Sequence, residues 1–249
     1  MQREASTGKG AVGEFHVAMK EILEEHRPSQ HALFADLGGD VGGRLLEPEA
    51  LGEFYHRYQA AMHATRVAVY HLPHLDTPSL RTRKVRIYVD DDGLEGGDTH
   101  HAQLRRAFTR MGARLDPAED DALYGDLDAL AQTLDPGTSR FVLLASKLYP
   151  RSLGAWCAVE TLSDDWMHAL SNGLARHHPG VQDEPYFKDC FHHGVEHRHG
   201  EESVKVTSTV LASRPGLLAE TVDGAWEMAR ALDGLWGALR EVLRPSEAG

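Results

Sequence analysis

The stretch from Pro185 to Ser203, PYFKDCFHHGVEHRHGEES, constrains the fold more than any other part of the chain. His192, Glu196 and His199 are spaced i, i+4, i+7, and at about 100° per residue a helix confines them to an arc of roughly 60°. Two imidazoles and a carboxylate on one helical face make a chelating edge, and that edge has to be turned towards other elements that complete the coordination. The donor set suits a first-row metal, iron in particular where positions stay open for oxygen or substrate. Glu196 and His199 also form the Glu-x-x-His unit that di-iron carboxylate proteins place inside a helical bundle. His193 and His197 fall roughly 90° to 130° round from the edge and read as surface or supporting residues. The bland alternative is a solvated helix rich in histidine.

The rest of the chain supplies helices for such an edge to face. Residues 1–12 are polar and Gly-rich and read as a flexible tail, with 13–245 as one helical domain. A first helix is expected from about Glu14 to His26, stopped by Pro28, and residues 27–46, with two Gly-Gly pairs, read as a connecting loop. From Pro48 to about His71, Leu51, Tyr55, Tyr58, Met62 and Val69 keep the three-and-four rhythm of an amphipathic helix. The basic segment with Arg81, Arg83, Lys84 and Arg86 is expected to be extended loop or helix, solvated rather than an anchor for an acidic substrate. Asp90-Asp91-Asp92-Gly93 has the composition of a turn, and His100-His101 open a helix carrying Leu104, Phe108 and Met111. Further helices are expected from Pro117 to Leu134 with Asp116 as N-cap, from Thr138 to Leu148 after an Asp135-Pro136-Gly137 turn, and from Arg151 to His177. Two more should run from Pro185 to Ser213 and from Leu217 to Leu243. The fold class is therefore all-α, about seven helices with no credible sheet.

Within the Arg151 to His177 helix, Glu160 shares a face with Leu153, Trp156, Asp164 and Met167. A carboxylate among apolar neighbours needs a partner, because an unpaired buried charge is strongly disfavoured. A metal ion would serve, as would an ordinary interhelix ion pair. Glu53-x-x-His56 offers a second Glu-x-x-His for a ferritin-like site, but Glu53 falls off the apolar stripe of its helix.

Composition narrows the partners. The chain has 38 Asp plus Glu against 26 Lys plus Arg, a formal net charge of -12, which argues against nucleic acid or an anionic membrane and leaves a small-molecule substrate. Cys157 and Cys190 have no metal-ribbon spacing, and there is no apolar leader or span, so a reducing cytoplasmic setting is expected.

Taken in order, Asp91 before Gly93, His101 in HAQL, Glu160 in the helix with Trp156, and His192-x3-Glu196-x2-His199 resemble the heme-oxygenase-like di-metal oxidase and oxygenase superfamily. The resemblance implies a seven-helix heme-oxygenase-like bundle. It implies that Asp91, His101, Glu160, His192, Glu196 and His199 bind two iron ions, with dioxygen as co-substrate. The implied activity is N-oxygenation of an amine or amino acid, or oxidative C–C or C–N cleavage of a small acid or amine. Such an enzyme can draw on an external electron donor and can form a homodimer. Two positions depart from the family's usual pattern: Asp91 stands where Glu is common and Glu196 where Asp is common. Asp90 or Asp92 could take the place of Asp91, and His63 is the one candidate for the additional ligand of N-oxygenating members. The rival readings are a metal-free cofactor-biosynthesis enzyme or hydrolase of the same fold, and a non-catalytic iron-binding protein.

Overall fold

The computed structural model describes residues 7–92, 98–116, 126–188 and 194–244, with the backbone alone for 90–92. Its described residues form ten complete α-helices, short 3-10 turns and a helical turn at 185–188, and no strand. The all-α class is therefore observed, with more helices than the seven expected. They are α1 (Gly8–Glu25), α2 (Ala32–Gly38), α3 (Pro48–Ala68), α4 (Pro78–Asp92), α5 (His100–Met111), α6 (Leu127–Thr133), α7 (Pro136–Leu148), α8 (Leu153–Ala175), α9 (Val195–Ser213) and α10 (Leu218–Val242). No described helix is long and apolar enough to cross a membrane.

Local chemistry sets the starts of these helices. Thr7, Thr99, Asp126, Asp135 and Ser152 each accept a backbone N–H from the first turn that follows, which satisfies donors a helix otherwise leaves unpaired. Pro48 and Pro136 occupy first-turn positions, where a missing N–H costs nothing. Asp135-Pro136-Gly137 is thus the start of α7 and not a separate turn.

α8 is the axis of the molecule. Every residue from Leu153 to Val159 is buried, a run of seven that goes right round the circumference, so the helix has to be enclosed by others. α9, α10 and α2 pack on it, α1 packs on α9 and α10, and α7 bridges α10 to α3. α4 packs against α9, α5 against α3, and the two touch each other. The core is continuous from Phe15 on α1 to Leu239 on α10.

Three expectations need correction here. Residues 27–46 are not a loop: they contain α2 and two 3-10 turns, with Leu33, Phe34 and Leu37 buried under α8 and α10. Residues 8–12, taken as part of a tail, belong to α1. The Pro185 to Ser213 helix is interrupted at Gly194, which has a left-handed backbone at φ 55° and precedes the first residue of α9. The segment 117–125 of the expected Pro117 to Leu134 helix lies outside the described residues, and its end is α6.

Candidate metal centre

α8 carries Glu160, while α9 carries Glu196 and His199 three residues apart on one face. Packing of these two helices brings one donor atom from each of the three side chains within 4.8 Å of the other two. His199 Nδ1 is 3.9 Å from Glu160 Oε2, with the imidazole 3% and the Glu160 side chain 14% exposed. Glu196 is buried as well. The next residue of α9, Gly200, explains how the helices come so close. A Cβ at that position would lie 3.1 Å from the Glu160 carbonyl oxygen and 3.2 Å from Thr161 Cα, so a side chain there would press on the α8 backbone.

The second oxygen of Glu160, Oε1, accepts the indole N–H of Trp156 at 2.8 Å. Trp156 is fully buried, so the carboxylate is oriented by a group that is itself locked in the core. Two carboxylates and an imidazole in a shielded place carry a high desolvation cost unless their charge is balanced. A divalent cation balances it, and oxygen and nitrogen donors of this kind are what such a cation takes.

Of the six residues expected at the site, the structure gathers Glu160, Glu196 and His199. His192 lies outside the described residues, and the helix it was expected to share with Glu196 and His199 begins only at Val195. Gly194, just before that helix, has a left-handed backbone, a conformation glycine adopts at little cost. The side chain of Asp91, like those of Asp90 and Asp92, lies outside what is described; its backbone is in the last turn of α4. His101 is half-buried in the first turn of α5 and is not one of the three gathered residues. Its neighbour His100 is buried and stands edge-on to Tyr186, with ring centroids 5.7 Å apart. His63 is half-buried on α3.

Asp164, on the same helical face as Glu160 by spacing, faces the surface, 3.6 Å from His168 and 3.7 Å from His197. Glu53 bonds Arg57 at 2.6 Å on an exposed face, which removes the ferritin-like alternative from the centre.

Glu160 and Glu196 form part of the wall of a cavity of about 80 Å³. A water molecule takes roughly 10–15 Å³ on such a measure, so there is room for several waters or one compact organic molecule. Met62, Val69, Ile87 and Val159 make much of the wall apolar, and Arg66 adds a guanidinium. Met167 lines it too, whereas Trp156 sits behind the Glu160 carboxylate. Several residues of the wall escaped the sequence reading, His100 and Tyr149 among them. His100 was legible only as one of an adjacent pair. Tyr149, just past the end of α7, carried no pattern at all. Its buried hydroxyl has no hydrogen-bond partner among the described residues, and burial, aided by the charge of Glu160, holds its pKa well above the ordinary value, so it remains a phenol.

A comparison with protein-family models and with curated proteins finds no match to this chain, so its likeness to a known superfamily rests on the residue pattern alone.

Proposed function

We propose that the chain is a non-heme di-iron enzyme that uses dioxygen to oxidise a small amine, amino acid or acid, by N-oxygenation or by oxidative C–C or C–N cleavage, in specialised metabolism. The observation that carries the reading is the buried Glu160, Glu196 and His199 cluster, whose two carboxylates line a cavity. These three residues would hold metal, and Asp91, His101 and His192 would supply the second position in the pattern of the resemblance. Bound iron supplies the capacity to reduce dioxygen. The side chains do the rest. Trp156 holds one oxygen of Glu160, which leaves Oε2 turned towards His199. The apolar wall from Met62, Val69, Ile87 and Val159 accommodates the hydrocarbon part of a substrate and keeps bulk water from the reacting atoms. Arg66 gives the same wall a group that attracts a substrate carboxylate.

The test is iron analysis of protein produced in iron-rich medium, with Glu196→Ala and His199→Ala beside the wild type, followed by dioxygen uptake across a panel of amines, amino acids and small acids. About two irons per chain are expected, as in other di-iron carboxylate bundles, with most of the metal lost in both variants. Uptake should accelerate with one class of substrate. A folded wild type that takes no ferrous iron under anaerobic addition would end the reading in favour of a metal-free enzyme. Iron without substrate-dependent uptake would leave an iron-binding protein.

A further inference from the structure

Tyr58 stands at the centre of a group of oxidisable side chains on the cavity wall. It is fully buried on α3, and its hydroxyl is met from three sides. Trp166 donates its indole N–H to the Tyr58 oxygen at 3.3 Å, the Tyr58 and Tyr186 hydroxyls are 3.1 Å apart, and the Tyr58 O–H reaches Met167 Sδ at 3.3 Å. A phenol has one proton to give and two lone pairs. With Tyr58 as donor to Tyr186, the Trp166 N–H occupies one lone pair and Met167 Sδ lies within reach of the same hydroxyl. Tyr58 is thus engaged throughout and poorly suited to binding a ligand, although it lines the cavity it shares with Glu160 and Glu196. Beyond Trp166 the contact continues to Trp236, with ring centroids 5.5 Å apart.

Core packing accounts for the rings. It does not account for the convergence of two phenols, an indole and a thioether on one oxygen, because a phenylalanine at position 58 would fill nearly the same space. What these side chains share is ease of one-electron oxidation.

We propose that Tyr58 and Trp166, with Trp236 as the inner end, form a one-electron relay that discharges the oxidant produced when dioxygen is reduced at the iron centre and no substrate fills the cavity. The proposal rests on the functional reading above. Dioxygen needs four electrons and four protons to become two waters. The two ferrous ions give two of the electrons, and two passages along the relay give the others. In each passage Tyr58 loses an electron to the oxidised centre. Its proton crosses to the Tyr186 oxygen, while Tyr186 releases its own proton into the cavity towards the water being formed. Solvent supplies the two remaining protons. Tyr58 then takes a hydrogen atom from the Trp166 N–H across the 3.3 Å contact, which restores the phenol and leaves an indole radical in contact with Trp236. An ascorbate-class reductant returns one electron and one proton to that indole.

The test uses the full chain loaded with ferrous iron, mixed with dioxygen in the absence of substrate, freeze-quenched and examined by EPR. Iron content and dioxygen consumption are measured on the same sample. An organic radical is expected in the wild type, resting on the indole, with hyperfine structure that narrows when the tryptophans are ring-deuterated. Tyr58→Phe should abolish it, and Trp166→Phe should replace it with a tyrosyl radical that responds to ring-deuterated tyrosine instead, because nothing refills Tyr58. Tyr58→Phe should also inactivate several-fold faster during repeated exposure, with more Met167 sulfoxide found by peptide mapping. If Tyr58→Phe does not fold, the identity of the radical in Trp166→Phe decides. Bound iron and consumed dioxygen without a radical, or a radical unchanged by these substitutions, would overturn the relay and leave the centre standing. Failure to bind iron or to consume dioxygen would remove both, and the iron content of the sample tells the two failures apart.

Discussion

Trp156 and Glu160 are one helical turn apart on α8, and the indole N–H of the first lies 2.8 Å from Oε1 of the second. Trp156→Phe should keep the fold, because the phenyl ring occupies much of the same buried space, at a cost of about 1–3 kcal/mol for the volume lost. Metal affinity should fall about 10- to 100-fold, the usual loss when a partner that orients a metal ligand is removed. Anaerobic titration with ferrous iron checks this. Unchanged affinity in a less stable protein would mean that Trp156 only packs.

Tyr149 makes the opposite kind of prediction. Its hydroxyl is buried without a partner among the described residues, and an unsatisfied buried hydroxyl costs about 1–3 kcal/mol. Tyr149→Phe should therefore leave the melting temperature of the metal-free protein unchanged or raise it, where most core substitutions lower it. A clear drop in a thermal melt would show that the hydroxyl has found a partner.

Stability should decline in mild acid, and His31 supplies one cause. Burial lowers its pKa from the ordinary value of 6.5. The unfolded chain therefore takes up the proton first, so stability is full above 6.5 and is lost as the pH falls towards the lower native value. The structural event is the loss of a cap. Nδ1 of His31 accepts the Leu33 N–H at 3.1 Å at the start of α2, and a protonated imidazole cannot accept. Asparagine caps without titrating, so His31→Asn should narrow the gap in melting temperature between about pH 7.5 and pH 5.5. His178, which bonds the Leu45 carbonyl and is also lowered by burial, should account for part of what remains.

Cys157 is enclosed between α8 and α9, and burial pushes its thiol up to about 11. Thiolate is the reactive form, so iodoacetamide at about pH 8 should label this residue negligibly in the native protein and fully after denaturation. Peptide mass spectrometry reads both. Rapid native labelling would show that α8 and α9 separate readily, which the shared metal site could not tolerate.

Much of this architecture was legible because long helices repeat their apolar positions many times. α3, α8 and α10 were each placed to within a few residues, and the pairing of Glu196 with His199 followed from spacing alone. α2 was not legible. It is only about two turns long, it ends at Gly38-Gly39, and its buried Leu33, Phe34 and Leu37 are too few to show a period. The start of α9 at Val195 was not legible for a different reason. Spacing counts residues and cannot see a left-handed backbone, and Gly194 permits one at little cost. Glu160 was singled out by its apolar neighbours, but its distance to α9 depended on Gly200, whose significance is visible only once α8 is seen pressed against it.

That contact has a further consequence for which ion the site prefers. Glu160 comes from one helix and His199 from the other, so the width of the opening between them is set by how closely two main chains approach. A centre built this way behaves as a calliper whose jaws are backbones and whose stop is the missing side chain of Gly200. A methyl group there would hold the jaws a few tenths of an ångström further apart, a change comparable to the spread of bond lengths between small and large divalent cations. Discrimination among cations of different radius would then be a property of helix packing, adjustable without touching any ligand.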